Sequence, residues 1–385
     1  MAAYGGISEK MLTTYGSVSD GKGKETNEKG RGTNILDCIS CGKCTRACIF
    51  LQKYSLNLSE LAKRPELFYS CFLCDRCGEV CPVGISGKKI VLEGRLLAAG
   101  GKEAGRAAER LPYPGYSGLL WEKDPYRFAN YRGIRGGSVL WTGCNFTGFF
   151  PKTEKRLRLL FAEHGIGTVH DCCQKPVYEL GLSDEADRNL KQIGQRLLQS
   201  GVRELIMVCP NCYYFMKEHL PAELKCVTVY RKLAELRLGA RISAAGFPIY
   251  LPCPDRAARD FLRDLQPFLP EEAETETFAP LQCCGLGGCA AVREPELADA
   301  LSKQAIHLSK TGASIEKTSA DVPLANDAER NGSLYTYCAS CVGQFRRKGF
   351  YGARHVLPLI LGVREDPCGG IRPFLNRVAG TVLMR

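Results

Sequence analysis

The chain has 385 residues, 45% of them apolar, which is enough for two or three domains with real cores. Its 21 cysteines are about 5% of the sequence, below the roughly 8–10% of a short disulfide scaffold, and a chain of this length needs no such staples. The formal charge of +11 is not gathered into an Arg-rich helix or interleaved with aromatics, so it reads as a solvated basic face and argues against nucleic acid as a partner.

Residues 1–34 are rich in Gly, Ser, Lys and Glu and read as a flexible tail. They hold no apolar secretory stretch and no twin arginine. No segment approaches the about 20 apolar residues that span a bilayer. The expectation is a cytoplasmic chain, with any membrane contact peripheral, at the inner face, or made through a partner. In a reducing compartment dense cysteine means metal or redox chemistry rather than structural disulfides.

Residues 35–100 carry two tight cysteine groups. Cys38, Cys41, Cys44 and Cys48 follow the spacing C-x2-C-x2-C-x3-C; Cys71, Cys74, Cys77 and Cys81 repeat it, and Pro82 completes it. In two-cluster ferredoxins three cysteines of such a run hold one [4Fe–4S] cube and the fourth reaches the other. The expected ligands are Cys38, Cys41, Cys44 and Cys81 for one cubane and Cys71, Cys74, Cys77 and Cys48 for the second. Gly42 and Gly78 are expected to permit the tight backbone around them. Zinc is the alternative, although its sites ordinarily use paired ligands separated by a longer loop. Residues 56–70, between the groups, read as a helix, and 101–136 as a Gly/Ala/Pro-rich connector.

The remainder reads as two diverged copies, 137–245 and 246–365, followed by a C-terminal segment at 366–385. In the first, apolar runs end at Cys144, at Cys172 and Cys173, and at Cys209 and Cys212, with helical stretches at 152–165 and 188–199. In the second the same order gives Cys253, then Cys283 and Cys284, then Cys338 and Cys341, with helical stretches at 256–269 and 295–310. Apolar runs alternating with helices indicate βαβ units and a parallel sheet. The expected fold class is therefore α/β, with a small α-helical ferredoxin-like domain and two pseudo-repeated βαβ domains. Copy two has 53 residues between Cys284 and Cys338 where copy one has 35 between Cys173 and Cys209, and the polar stretch 311–332 reads as an insertion loop.

The N-terminal module resembles the α-helical ferredoxin modules of succinate dehydrogenase-like and heterodisulfide reductase-like proteins. The ten later cysteines, in their order and grouping, resemble the cysteine-rich CCG-domain family. That family includes catalytic subunits of heterodisulfide reductases and iron–sulfur subunits of anaerobic glycerol-3-phosphate, lactate and glycolate dehydrogenases. The resemblance implies that Cys144, Cys172, Cys173, Cys209 and Cys212 hold one noncubane [4Fe–4S] cluster. It implies a second on Cys253, Cys283, Cys284, Cys338 and Cys341, the two lining one cavity where each binds one sulfur of a disulfide. An oxidoreductase subunit follows, taking electrons from a partner protein (a flavoprotein, a hydrogenase-like protein or a membrane cytochrome) to a small-molecule disulfide or similar acceptor. The alternative is an electron relay between a flavin dehydrogenase and a quinone pool, without chemistry of its own.

Two physical points stand apart from the resemblance. Cleaving a disulfide reductively takes two electrons, and side chains at parallel-strand ends converge where α/β sheets place ligands. The residues by themselves also admit ordinary cubanes, metal-free vicinal disulfides or buried thiols. Copy one carries Gln174 where glycine follows the cysteine pair in the family, so a larger side chain must fit there.

Other candidates have paired readings. His170 is a proton donor to a departing thiolate or a satisfied core histidine. Lys175 and Arg256 attract an anionic substrate or are solvated. Cys289 is an added ligand or a small buried side chain, and Cys226 and Cys368 have no motif partner. Phe374, Leu375, Val378 and Val382 recur at helical spacing, as a contact for a membrane surface, a partner or the chain's own domain. No Gly-rich dinucleotide fingerprint is present.

Overall fold

The computed structural model of the chain describes residues 35–99, 116–243, 247–311 and 333–382. The tail at 1–34, the connector over 100–115 and the insertion segment at 312–332 lie outside the described residues. The chain forms two compact units: one within Met1–Tyr116 with Tyr178–Asp184 and Gly285–Asp299, the other from Ser117–Val177, Glu185–Cys284 and Ala300–Arg385. Among the described residues no helix is long and apolar enough to cross a membrane.

The first unit is helical. Phe50, Leu58, Leu61, Phe68, Ile90 and Val91 are its deepest apolar side chains, all at most 1% exposed. The helix expected over 56–70 is divided at Pro65, which cannot continue it. A turn at Leu58–Leu61 is fixed by a capping box between Asn57 and Glu60, and a 3-10 stretch runs Pro65–Ser70. Two segments from later in the sequence complete this unit. Tyr69 Oη donates to the Leu180 carbonyl at 2.8 Å, and Lys53 and Tyr54 both hold the buried carboxylate of Glu294, at 2.5 and 2.7 Å.

In the second unit β1 (Ser138–Trp141), β2 (Gly167–Val169), β3 (Glu204–Met207) and β4 (Lys225–Thr228) form a parallel sheet in the order β2-β1-β3-β4. Its central residues, from Val139 to Trp141 and from Leu205 to Met207, are fully buried, as parallel strands covered on both faces require. The second copy contributes β5 (Phe247–Pro248) paired with β6 (Ala273–Glu274) and β7 (Leu334–Thr336) paired with β8 (Ala353–His355), again parallel. A parallel bridge between Ile249 and Tyr335 joins the pairs. The resulting order, β6-β5-β7-β8, is that of the first sheet, with the first and third strands of each copy side by side at the centre.

Helices Pro151–Glu163, Ser183–Gln199 and Pro210–His219 connect the strands of the first copy, the first two overlapping the stretches expected at 152–165 and 188–199. The helix expected over 256–269 starts only at Asp260. Arg259 takes a left-handed φ of 53°, and the Asp255 carboxylate accepts from the N–H groups of Phe261 and Leu262 at the new helix start. The C-terminal helix Arg372–Val382 docks on its own unit. Asn376 donates to the Gly148 carbonyl at 2.8 Å, Asn130 to that of Thr381 at 3.0 Å, and Phe374 meets Phe128 edge to face.

Helix Gly87–Ala98 owes its seating on Pro65–Ser70 to a missing side chain. A Cβ at Gly94 would fall 2.0 Å from the ring of Phe68, which is wholly buried. Although alanine is the better helix former by about 1 kcal/mol, Gly94→Ala is expected to destabilise the first unit by about 1–3 kcal/mol. Thermal denaturation followed by circular dichroism measures it; a raised midpoint would mean that the helix can lift off the turn without loss.

Candidate metal centres

Cys38, Cys41 and Cys44 are carried by the loop into helix Lys43–Ala47, which Gly42 opens at a left-handed φ of 72°. They meet Cys81, 37 residues further on than Cys44, around one cavity of about 320 Å3 counted to its open mouth. Its other walls are apolar or neutral, with no carboxylate and no imidazole. Four thiols as the entire set of strong ligands fit an iron–sulfur cube. In the second motif the left-handed position after Cys74 belongs to Asp75, at φ 56°, and not to Gly78. Gly78 instead makes room: a Cβ there would stand 2.6 Å from the Asp75 carboxylate.

Cys48, Cys71, Cys74 and Cys77 form the other ferredoxin-type group. Burial, followed by the charges of Cys74 and Cys71, pushes the Cys48 thiol up; burial, followed by Cys48 and Cys71, does the same to Cys77. Cys71 is pushed up to about 12 by burial. Thiols this deep ionise only when a cation replaces the water they have lost. Gly87 is a residue that sequence reasoning passed over: a Cβ there would lie 2.4 Å from the Cys77 sulfur.

In the second unit the ten cysteines of the two five-cysteine sets lie after strands: Cys144, Cys172, Cys173, Cys209 and Cys212 after β1, β2 and β3, and Cys253, Cys283, Cys284, Cys338 and Cys341 after β5, β6 and β7. In copy one the side chains make a connected row: Cys144 bonds Cys172, Cys172 bonds Cys173, Cys173 bonds Cys212, and Cys212 bonds Cys209. Because Cys172 and Cys212 both donate to it, Cys173 is drawn down to about 5, while Cys212 is pushed far above the usual thiol range. In copy two Cys341 bonds both Cys284 and Cys338, so Cys338 is lowered and Cys341 raised, and Tyr250 lies in the field of Cys253, Cys284, Cys341 and Cys283. Eight of the ten are buried; only Cys144 and Cys253, the first of each copy, are half-exposed.

The two sets meet. Asn211, between Cys209 and Cys212, points Nδ2 at the Cys338 sulfur at 3.8 Å. Ser340, between Cys338 and Cys341, accepts from Asn145, the neighbour of Cys144, at 2.7 Å. Helices Cys144–Phe149 and Ala339–Arg347 pack so closely that a Cβ on Gly343 would stand 2.6 Å from the ring of Phe149. Each C-x2-C pair thus sends an inner polar residue across to the other copy. Among the described residues no three His, Cys, Asp or Glu close around the position of a single ion.

The remaining candidates divide. His170 is buried, with Nε2 3.3 Å from Glu154 and Nδ1 3.5 Å from Thr147. Arg256 is not a solvated cation: its guanidinium donates to the carbonyls of Leu281 and Gln282, just before Cys283. Lys175 is half-buried beside the first set. Cys289 is buried in the first unit, where burial raises its thiol to about 11 and its charged neighbours are Arg95, Glu179 and Arg293, so it reads as a packing residue. Cys226 lies on β4, and the Cys368 N–H donates to Phe149.

Gln174 keeps the left-handed turn that glycine would make, at φ 63°, and Gly285 makes it in copy two at 81°. Its buried amide donates to the Lys123 carbonyl and accepts from Asn189. Lys123 had no signal in the sequence. It is buried, bonded to Glu122 at 2.6 Å, and its charge lies by Cys144 and Cys172; these and Glu122 overcome the effect of burial and keep its pKa high.

Residues 138–217 match the family model of the cysteine-rich domain CCG, from β1 to the helix that follows Cys209. The chain is similar to a subunit of the fumarate reductase (CoM/CoB) of Methanothermobacter marburgensis, at 25% identity over 309 residues, and to an uncharacterized iron–sulfur protein of Methanococcus maripaludis, at 23% over 316. Each comparison takes in 70% of this chain and 62% of the relative, so the chain spans less than two thirds of the length of these curated relatives. No solved structure matches. The similarity is thus to iron–sulfur proteins of oxidoreductase type.

Asp255, fully buried, also accepts from the hydroxyls of Tyr214 and Tyr337, beside the C-x2-C pairs of copies one and two. Asp255→Ala would orphan four donors at about 1–3 kcal/mol each before relaxation. The expected loss is more than about 3 kcal/mol, read as a lowered denaturant midpoint; an unchanged midpoint would show that the tyrosines find other acceptors.

Proposed function

We propose that the chain is an iron–sulfur oxidoreductase subunit that draws electrons from a partner protein and reduces a small-molecule disulfide. The carrying observation is the seam along which two equivalent five-cysteine sets meet. Cys38, Cys41, Cys44 and Cys81 would hold one cubane, and Cys48, Cys71, Cys74 and Cys77 the second. The two strand-end sets would each hold a noncubane cluster. Clusters in these places would supply one-electron redox centres and, at the seam, iron open to sulfur.

The chain's own residues supply the rest. Cys144 and Cys253 are the least buried of their sets, so a substrate approaches from their side. Reduction adds two electrons and two protons to R–S–S–R′, breaks the S–S bond and releases two thiols. The ammonium of Lys123, held beside Cys144 and Cys172, is placed to steady one departing thiolate. The relative from Methanothermobacter marburgensis, by its name a reductase subunit, supports a role in a multi-subunit assembly.

Anaerobically purified protein should contain about sixteen irons and as much acid-labile sulfide per chain. Its electron paramagnetic resonance signal should change when a thiol is added under oxidising conditions. About eight irons and no response to thiol would leave an electron relay, of the kind that links a flavin dehydrogenase to quinone, and zinc alone would remove both readings.

A further inference from the structure

We propose that Arg95 is a fixed countercharge for the second ferredoxin-type set, holding its reduction potential above the value that burial alone would give; this rests on the cubane reading above. Arg95 is 0% exposed. Its Nε and Nη2 donate to the Phe68 carbonyl at 3.2 and 2.9 Å, Nη2 also to that of Cys71 at 3.1 Å, and Nη1 to that of Glu179 at 2.6 Å. The guanidinium lies over the Tyr69 ring at 4.8 Å. Every one of these hydrogen-bond partners is a neutral backbone carbonyl.

A guanidinium does not give up its proton inside a protein. Taking such a charge out of water costs several kcal/mol, and carbonyl dipoles offset only part of it. An anion beside it would complete the balance. Cys71 belongs to the set expected to carry net negative charge, and Arg95 already grips its carbonyl.

The first set differs. Its nearest bonded cation is Arg46, which donates to the Cys41 carbonyl at 3.3 Å, but Arg46 and Cys41 are both exposed and water screens that charge. A charge of the opposite sign is also near. Asp75, half-buried between Cys74 and Cys77, accepts from Ser86 Oγ at 2.8 Å and from the Lys88 N–H at 3.1 Å. Cluster potentials follow net charge, hydrogen bonding and exposure, so a buried cation beside one set raises that potential selectively.

The test is a redox titration of the whole chain, followed by electron paramagnetic resonance, with the first set as internal reference. Arg95→Gln should lower the potential of the second set enough to change its reduced-to-oxidised ratio at least about tenfold, or about 59 mV for one electron. The first set should not move. Arg95→Lys, which keeps the charge and loses the fork, should stay near wild type even if the protein melts earlier. Asp75→Asn, which tolerates the left-handed turn, should raise the same potential. If the glutamine variant loses the iron of the second set, Asp75→Asn and Arg95→Lys decide: no rise in the first, or a fall in the second, overturns the proposal. Wild-type protein whose iron and sulfide do not amount to two cubes fails the cubane reading instead, and is recognised before any potential is measured.

Discussion

Asp255 lies two residues after Cys253, with no surface in water, and accepts four hydrogen bonds. Two come from tyrosine hydroxyls: Tyr214, on the helix that carries Cys212, and Tyr337, the residue before Cys338. The other two come from the backbone at the start of helix Asp260–Leu265. One carboxylate therefore fixes Cys253, the Cys338 end of β7 and the Cys212 helix of the opposite copy. Burial raises its pKa, and the four donors work against that rise. A group in this position costs free energy unless every lone pair is used, so the seam keeps its spacing only while all four donors stay in place.

The copies share their strand order but not their surroundings. Copy one turns after its cysteine pair on Gln174, whose amide ties the turn to Lys123 and Asn189; copy two makes the turn with Gly285. Copy one has the ammonium of Lys123 and the phenol of Tyr126 in the field of Cys144 and Cys172; copy two has the phenol of Tyr250 in the field of its set and the guanidinium of Arg347 in that of Cys284. The cation of copy one is buried and that of copy two exposed, so the two sets differ in electrostatics while they remain equivalent in topology.

Much of this was legible in the sequence. Cysteine spacing pointed to the groups that converge, including the exchange of Cys48 and Cys81 between motifs, and apolar runs located β1, β2, β3, β5 and β7. β4, β6 and β8 were not visible, since KCVT, AE and ARH carry too little apolar signal to separate from loop. Pro65 and the left-handed Arg259 shortened helices that periodicity had extended. Residues acting through a single buried contact, such as Asp255, Lys123 and Gly87, left no pattern at all, because their partners are distant in sequence. Asn211 and Ser340 were readable in principle, as polar residues at matching places within the two C-x2-C pairs.

The ferredoxin-like body borrows Tyr178–Asp184 and Gly285–Asp299 from far downstream. During synthesis the ribosome must therefore release residue 299 before that body can close. Tyr69 and Arg95 wait for the carbonyls of Leu180 and Glu179, and Lys53 and Tyr54 for the carboxylate of Glu294. The N-terminal hundred residues, cut away from these two segments, would lose the partners that complete their unit.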